Sequence, residues 1–253
     1  LTLPSEITSE IFTHFLPAYP KHCQLVSPDS PSHLSRICRA WRNVAVSTPT
    51  LWNAIELNIH DPELHEHQLP LPKTRLTRSG GCPLCIALLC RYDTQISTTV
   101  FVEAIVCHTS RRQEIELLLP YEDLRHITGV MPLLRILTLG PTMELEESTP
   151  VATPVVLFIQ APNLREATLS SYFNPFCITL SWPQITKLTA GLYNIEATAI
   201  LRDATALEEC RLTLFSEFSA PIPPIPPLTR LWSLVLSASS SGLQRQVVSS
   251  SQR

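Results

Sequence analysis

Apolar residues recur at two different periods along the chain, and the change of period divides it. Over the first sixty residues the spacing is helical: Ile7, Ile11, Phe12 and Phe15 follow Leu3-Pro4, and Leu34, Ile37, Cys38, Trp41, Val44 and Ala45 repeat at three and four residues. This predicts one helix from about Pro4 to Phe15 and a second from near Ser32 to Pro49, with Leu51 and Trp52 as apolar anchors after it. Pro4 stands where a first turn tolerates it, and Glu6 places a favourable charge near the helix N-terminus. Pro17, Pro20, Pro28 and Pro31 make the intervening segment a loop, and Arg36, Arg39, Arg42 and Asn43 fall on the polar face of the second helix.

After Trp52 the period shortens towards two. AIELNI and PLCIALLC read as strands separated by a polar, Pro-containing stretch from Asp61 to Pro72, and Thr98 to His108 returns to helical spacing through Val100, Phe101, Ala104, Ile105 and Cys107. Short alternating segments then follow: EIELLL, LLRILTL, NLREATL, QITKLTA, LEECRLTL and RLWSLVL. Counted from Leu134, Leu164, Ile185, Leu207 and Leu231, the steps are about 21 to 30 residues. L-x-x-L-x-L is complete at Leu134, Leu137, Leu139 and at Leu231, Leu234, Leu236; weaker copies are Leu164, Ala167, Leu169, then Ile185, Leu188, Ala190, then Leu207, Cys210, Leu212. PYEDLRHI and NIEATAILRDA, the second with Asn194 as cap, read as short helices between copies.

A strand and a helix repeated at this period resemble leucine-rich repeats, which recur at ~20 to 29 residues and stack into a curved solenoid. The asparagine expected after each L-x-x-L-x-L is replaced by Thr142, Tyr172, Tyr193, Phe215 and Ser239, so an irregular curvature is expected. An α/β domain with a parallel sheet is the other architecture that this alternation allows. The Ser-rich end, SASSSGLQRQVVSSSQR, is expected to be unstructured.

Composition narrows the chemistry. An apolar fraction of 44% with 16% charged residues belongs to a folded chain, and a net charge of −3 with scattered Lys and Arg lacks the footprint of a nucleic-acid or anionic-membrane binder. No stretch has the ~18 to 20 apolar residues of a membrane span or the basic-then-apolar order of a signal peptide, so an intracellular chain is expected. The absence of an initiator Met suggests a fragment or a processed form.

The 6 glycines are too dispersed for a Gly-x-Gly-x-x-Gly turn or a Walker loop, and no Gly-x-Ser-x-Gly elbow occurs. Of the 8 cysteines, Cys82 and Cys85 form one C-x-x-C, but Cys90 and the Cys107-His108 pair lack the gaps that would complete a zinc site. Cys82 and Cys85 read instead as flanking the start of a strand, the other cysteines as small buried hydrophobes, and His65 and His67 as solvent-facing. No metal, no cofactor and no catalytic residue is predicted.

Particular residues add more than period does. Leu-Pro-x-Glu-Ile, Ile-Phe, Leu-Ser-x-Ile-Cys-x-x-Trp-Arg-x-x-Ala and Pro-x-Leu-Trp, in this order from Leu3 to Trp52, resemble the F-box, and especially the F-box-like domains of mushroom-forming fungi. The arginine-serine-glycine and proline-leucine segment at TRSGGCPLC is also similar to that group. The resemblance implies a compact helical bundle that binds a Skp-type adaptor, and through it a cullin-based ubiquitin ligase. It assigns Leu3, Pro4, Ile7, Ile11 and Phe12 to the adaptor-facing ridge, and Leu34, Ile37, Cys38, Trp41, Leu51 and Trp52 to bundle packing and the extended contact.

The expected fold is thus α+β to α/β: an F-box-like bundle at 1–58, a linker at 59–81, an irregular leucine-rich-repeat-like solenoid at 82–236 and a tail at 237–253. Residues that the strands could offer to a target protein are Arg135, Thr138, Arg165, Thr168, Lys187, Thr189, Arg211 and Thr213. A substrate receptor of a Skp-cullin-F-box ligase, cytoplasmic or nuclear and not itself an enzyme, is the expected function. A repeat scaffold outside any ligase is the alternative.

Overall fold

The computed structural model describes residues 3–17, 28–59, 70–90, 99–124, 126–140, 157–171, 173–215, 227–240 and 243–250. It is a mixed α/β structure built on an open, mainly parallel sheet.

Three short helices come first. Helix α1 (Ser5–Phe15) starts on Pro4, whose carbonyl accepts from the Thr8 backbone N–H and hydroxyl, each at 3.0 Å. The second predicted helix is two: α2 (Pro31–Ile37) and α3 (Arg39–Ser47). Between them Cys38 is extended, with φ −155° and ψ 169°, and its sulfur accepts from the Trp41 N–H at 3.5 Å, so this residue caps α3 and cannot continue α2. Ser30 caps α2 through its hydroxyl, which accepts from Ser32 N–H at 3.1 Å, and Pro31 occupies the first turn. A 3₁₀ turn (Pro49–Trp52) closes the unit over a small core of Phe12, Leu34, Ala45, Leu51 and Trp52, where the Trp52 indole N–H donates to Ala45 O at 2.7 Å.

The main sheet places strands side by side in nearly the order in which the chain supplies them. These are β1 (Ala54–Ile59), β2 (Leu84–Cys90), β3 (Arg112–Leu118), β5 (Ile136–Gly140), β7 (Glu166–Leu169), β9 (Lys187–Tyr193), β10 (Glu209–Phe215) and β11 (Ser233–Ser240), each parallel to the next. The alternate strands β4 (Gly129–Val130), β6 (Leu157–Gln160) and β8 (Ile178–Thr179) form a second parallel ladder, again in chain order. Every short alternating segment predicted from the sequence is therefore a strand of the main sheet.

Register explains why apolar residues stand where they do. One buried row runs Ile55, Ile86, Ile115, Leu137, Ala167, Leu188, Cys210, and the next runs Leu57, Leu88, Leu117, Leu139, Leu169, Ala190, Leu212. Leu134, Leu164, Ile185 and Leu207, at the turn before each strand, are also buried. The turns repeat at the backbone: Arg135 O accepts from Arg165 and Glu166 N–H, Arg165 O from Thr186 and Lys187, Thr186 O from Glu208 and Glu209, and Glu208 O from Trp232 and Ser233. Helix α5 (Thr99–Val106) contributes Phe101, Val102 and Ile105 to this core, and α7 (Asn194–Asp203) contributes Ala197, Ile200 and Leu201.

Several expectations are corrected. The supposed linker contains α4 (Pro70–Arg78), with Pro72, Arg75 and Leu76 buried, because its apolar side packs onto the sheet's core. Among the described residues of PYEDLRHI the helix is the single turn α6 (Tyr121–Leu124). Asn194 is the first residue of α7 and not its cap; Tyr193 precedes the helix, and its N–H donates to Glu196 Oε2 at 2.9 Å. The Ser-rich end is paired where it was expected to be unstructured, since β12 (Leu243–Ser250) runs antiparallel to β11. At two positions that lack the expected asparagine, Tyr193 and Phe215 are register partners with ring centroids 5.8 Å apart, so an aromatic contact stands in place of an amide ladder. Thr142 and Tyr172 lie outside the described residues.

Candidate functional site

Helix α1 turns two different faces outward and inward. Leu3, Ile7, Ile11 and Phe15 repeat every four residues and are exposed, at 62%, 51%, 50% and 41%, whereas Phe12, about 100° further round, is at 1%. The ridge predicted from the sequence is therefore Leu3, Ile7 and Ile11 with Phe15 added, and Phe12 belongs to the core beneath it. Pro4, the residue before α1, is also exposed.

Residues from α2 and α3 extend this surface. Trp41 packs its ring against Phe12, with centroids 4.9 Å apart, yet stays 38% exposed; Ile37 and Val46 are also exposed. Leu34, Leu51 and Trp52 lie in the small core, while Ile37 and Cys38, assigned with them to bundle packing and the extended contact, are exposed on either side of the break between α2 and α3. Exposed large apolar residues at this density on so small a unit are more than single surface hydrophobes require.

The second candidate surface is the outward face of the sheet. Alternation puts Glu114, Ile136, Glu166, Lys187, Glu209 and Ser233 in one register row and Glu116, Thr138, Thr168, Thr189, Arg211 and Val235 in the next. Thr138, Thr168, Lys187, Thr189, Arg211 and Thr213 are thus on one face, as expected. Arg135 and Arg165 are not: each is one residue ahead of its strand and out of parity with the outward row, and both are exposed, the Arg165 guanidinium donating to Leu164 O at 2.9 Å.

Charge on this face is arranged around Lys187, whose ammonium reaches Glu209 at 3.2 Å and Glu166 at 3.8 Å. The hydrogen bond to Glu209 and the neighbouring carboxylates of Glu166 and Glu209 hold the lysine above its ordinary value. A depression of about 270 Å³ lies over β7 to β11, lined by Glu166, Thr168, Lys187, Thr189, Arg211 and Val235 among others. The glutamates were missed in the sequence; strand parity, counted back two residues from Thr168 and Arg211, would have found Glu166 and Glu209.

Among the described residues no group of three or more His, Cys, Asp or Glu side chains is placed to hold a metal ion. Cys82 is partly buried in the loop before β2; Cys85 points to the outward face beside Glu114, where burial first, and the carboxylate second, push its thiol up to about 12. Cys90, Cys177 and Cys210 are buried, and burial alone raises Cys210 to about 12. Cys23, His65 and His67 lie outside the described residues. No described helix is long and apolar enough to cross a membrane.

Compared with family models, with curated proteins and with solved structures, the chain matches none of them.

Proposed function

We propose that this chain is a substrate receptor of a Skp-cullin-F-box ubiquitin ligase, in which the helical unit is an F-box-like bundle and the sheet is an irregular leucine-rich-repeat-like solenoid. The observation that carries the adaptor half is the stripe of Leu3, Ile7, Ile11 and Phe15 beside Trp41. It is apolar, it is outward, and the helical unit keeps a separate core that does not need it. Apolar ridges with aromatic anchors are the usual source of affinity in such contacts.

The solenoid reading is supported by chain order equalling spatial order in both ladders and by the in-register leucine rows. The outward face, with its depression over β7 to β11, is then where a target protein is held, in the cytoplasm or nucleus. The chain performs no chemistry itself. It raises the effective concentration of the target near the ligase's transferase partner.

One observation favours the alternative of a scaffold that never enters a ligase: Phe12, assigned to the ridge by resemblance, is spent in the core, which narrows the docking stripe. Co-purification with a fungal Skp-type adaptor separates the two. Wild type is expected to retain the adaptor, and Leu3→Asp with Ile11→Asp to lose it while staying folded, because both residues are exposed in the free chain and an unpaired carboxylate is costly to bury. If folded wild type retains no adaptor, the scaffold reading replaces the ligase one.

A further inference from the structure

The helical unit and the sheet have separate cores, and three arginines around α4 tie them together. Arg75, 2% exposed, donates from Nη1 to Ala54 O of β1 at 2.9 Å and from Nη2 to Ser30 Oγ at 3.0 Å. That serine is the cap of α2 and is itself buried, so one guanidinium spans the first strand of the sheet and the start of a helix in the other unit. One turn later Arg78 lays its guanidinium over the Trp52 ring, 4.4 Å from the centroid. At the end of α4, Ser79 is buried and donates to Leu76 O at 2.8 Å, while its hydroxyl accepts from Arg111 Nη2 at 2.7 Å. Arg111, in the turn before β3, also donates from Nε to Cys82 O at 3.0 Å.

We infer that α4 is a bracket and Arg75 its positioning residue, which makes the helical unit and the sheet a single body and fixes the direction in which the apolar stripe faces relative to the outward face of the sheet. A buried guanidinium with planar, directional donors is suited to this, because its two acceptors cannot move apart without leaving a buried donor unmade. Two units joined only by flexible chain would instead reorient freely. The inference does not depend on which partner the stripe takes.

Hydrogen exchange read by mass spectrometry, together with small-angle scattering, tests it on the full chain. In wild type, peptides covering 30–37 and 54–59 are expected to open together, with the same denaturant dependence. In Arg75→Gln the 30–37 peptide should exchange at least about tenfold faster, peptides over 187–193 should be unchanged, and the maximum dimension should grow, since losing one buried tether lowers a local opening energy and not the global one. Arg75→Lys, which keeps the charge but not the fork, should fall between. Acceleration spread uniformly over the chain, or no change in exchange and dimension, overturns the bracket. Should Arg75→Gln not fold, Arg78→Gln decides it: faster exchange confined to the helical unit supports the bracket, and none overturns it.

Discussion

Phe12 and Trp41 meet at 4.9 Å between ring centroids with their planes 58° apart, and the contact divides core from surface. Phe12 is enclosed; Trp41 lies over it and still faces solvent. Truncating them should therefore have opposite consequences. Phe12→Ala removes an enclosed aromatic and should cost about 3 to 5 kcal/mol, read as loss of α1 to α3 helicity and of the folded Trp52 fluorescence. Trp41→Ala loses the ring contact, about 0.5 to 1.5 kcal/mol beyond area, and should leave a folded chain with weakened adaptor retention.

Gly140 ends β5 against the turn after β7. A Cβ there would run into the Ser170 hydroxyl, and would stand 2.7 Å from Ser170 Cβ and 2.9 Å from Leu118 Cδ2. Gly140→Ala should destabilise the chain by about 1 to 3 kcal/mol in a denaturant titration, as overpacking does. Adding Ser170→Gly should recover part of the loss. A fully additive pair would mean that the clash is not the cause.

Thiol reactivity should follow position. Cys38 and Cys107 are exposed, whereas Cys85 and Cys210 are held up to about 12 from the ordinary 9.0. Iodoacetamide at pH 9 should label the first pair quickly and the second slowly, since the thiolate is the nucleophile and the second pair stays protonated at that pH. The sign for stability is the same for Cys85 and Cys210. The folded state keeps a proton that the unfolded state releases above about 9, so this contribution is intact below that pH and erodes as pH rises from 9 towards 12. Equal labelling of all four at pH 9 in native buffer contradicts the placement.

Lys187 between Glu166 and Glu209 offers a second pH test. Its folded value lies above the ordinary 10.5, so what it adds to stability is present below 10.5 and lost as pH rises through the raised value. The group is exposed and screened by solvent, so Lys187→Met should lower the melting temperature only slightly at neutral pH and not at all in strong alkali. A large loss at neutral pH would mean that Lys187 has structural partners beyond these carboxylates.

The sheet was legible because alternation is a local property. Leu137 with Leu139, or Leu188 with Ala190, need only a period of two to be placed on the buried side, and register follows once strands stack in order. The second helix was legible in composition but not in continuity, because Cys38 breaks it through a backbone conformation that apolar spacing does not report. Helix α4 was hidden for a related reason: its buried residues include Arg75, a residue type read from sequence as solvent-facing, and its burial depends on Ser30 and Ala54, 45 and 21 residues away. Arg135 and Arg165 were misplaced by counting three residues, and not two, to the following threonine. Phe12 joined the ridge by resemblance, whereas helical geometry sets it a third of a turn away from Ile11.

Chain order that equals spatial order has a kinetic side. From β2 to β11 each main-sheet strand pairs with the one laid down just before it, so the loop closed at each addition is short and the entropy of closing it is modest. A chain leaving the ribosome can therefore assemble this sheet by successive deposition, each finished strand being the template for the next, with no need to wait for a distant partner. Arrest of synthesis within β11 should leave β1 to β7 protected on the nascent chain, which pulse proteolysis of stalled ribosomes can read.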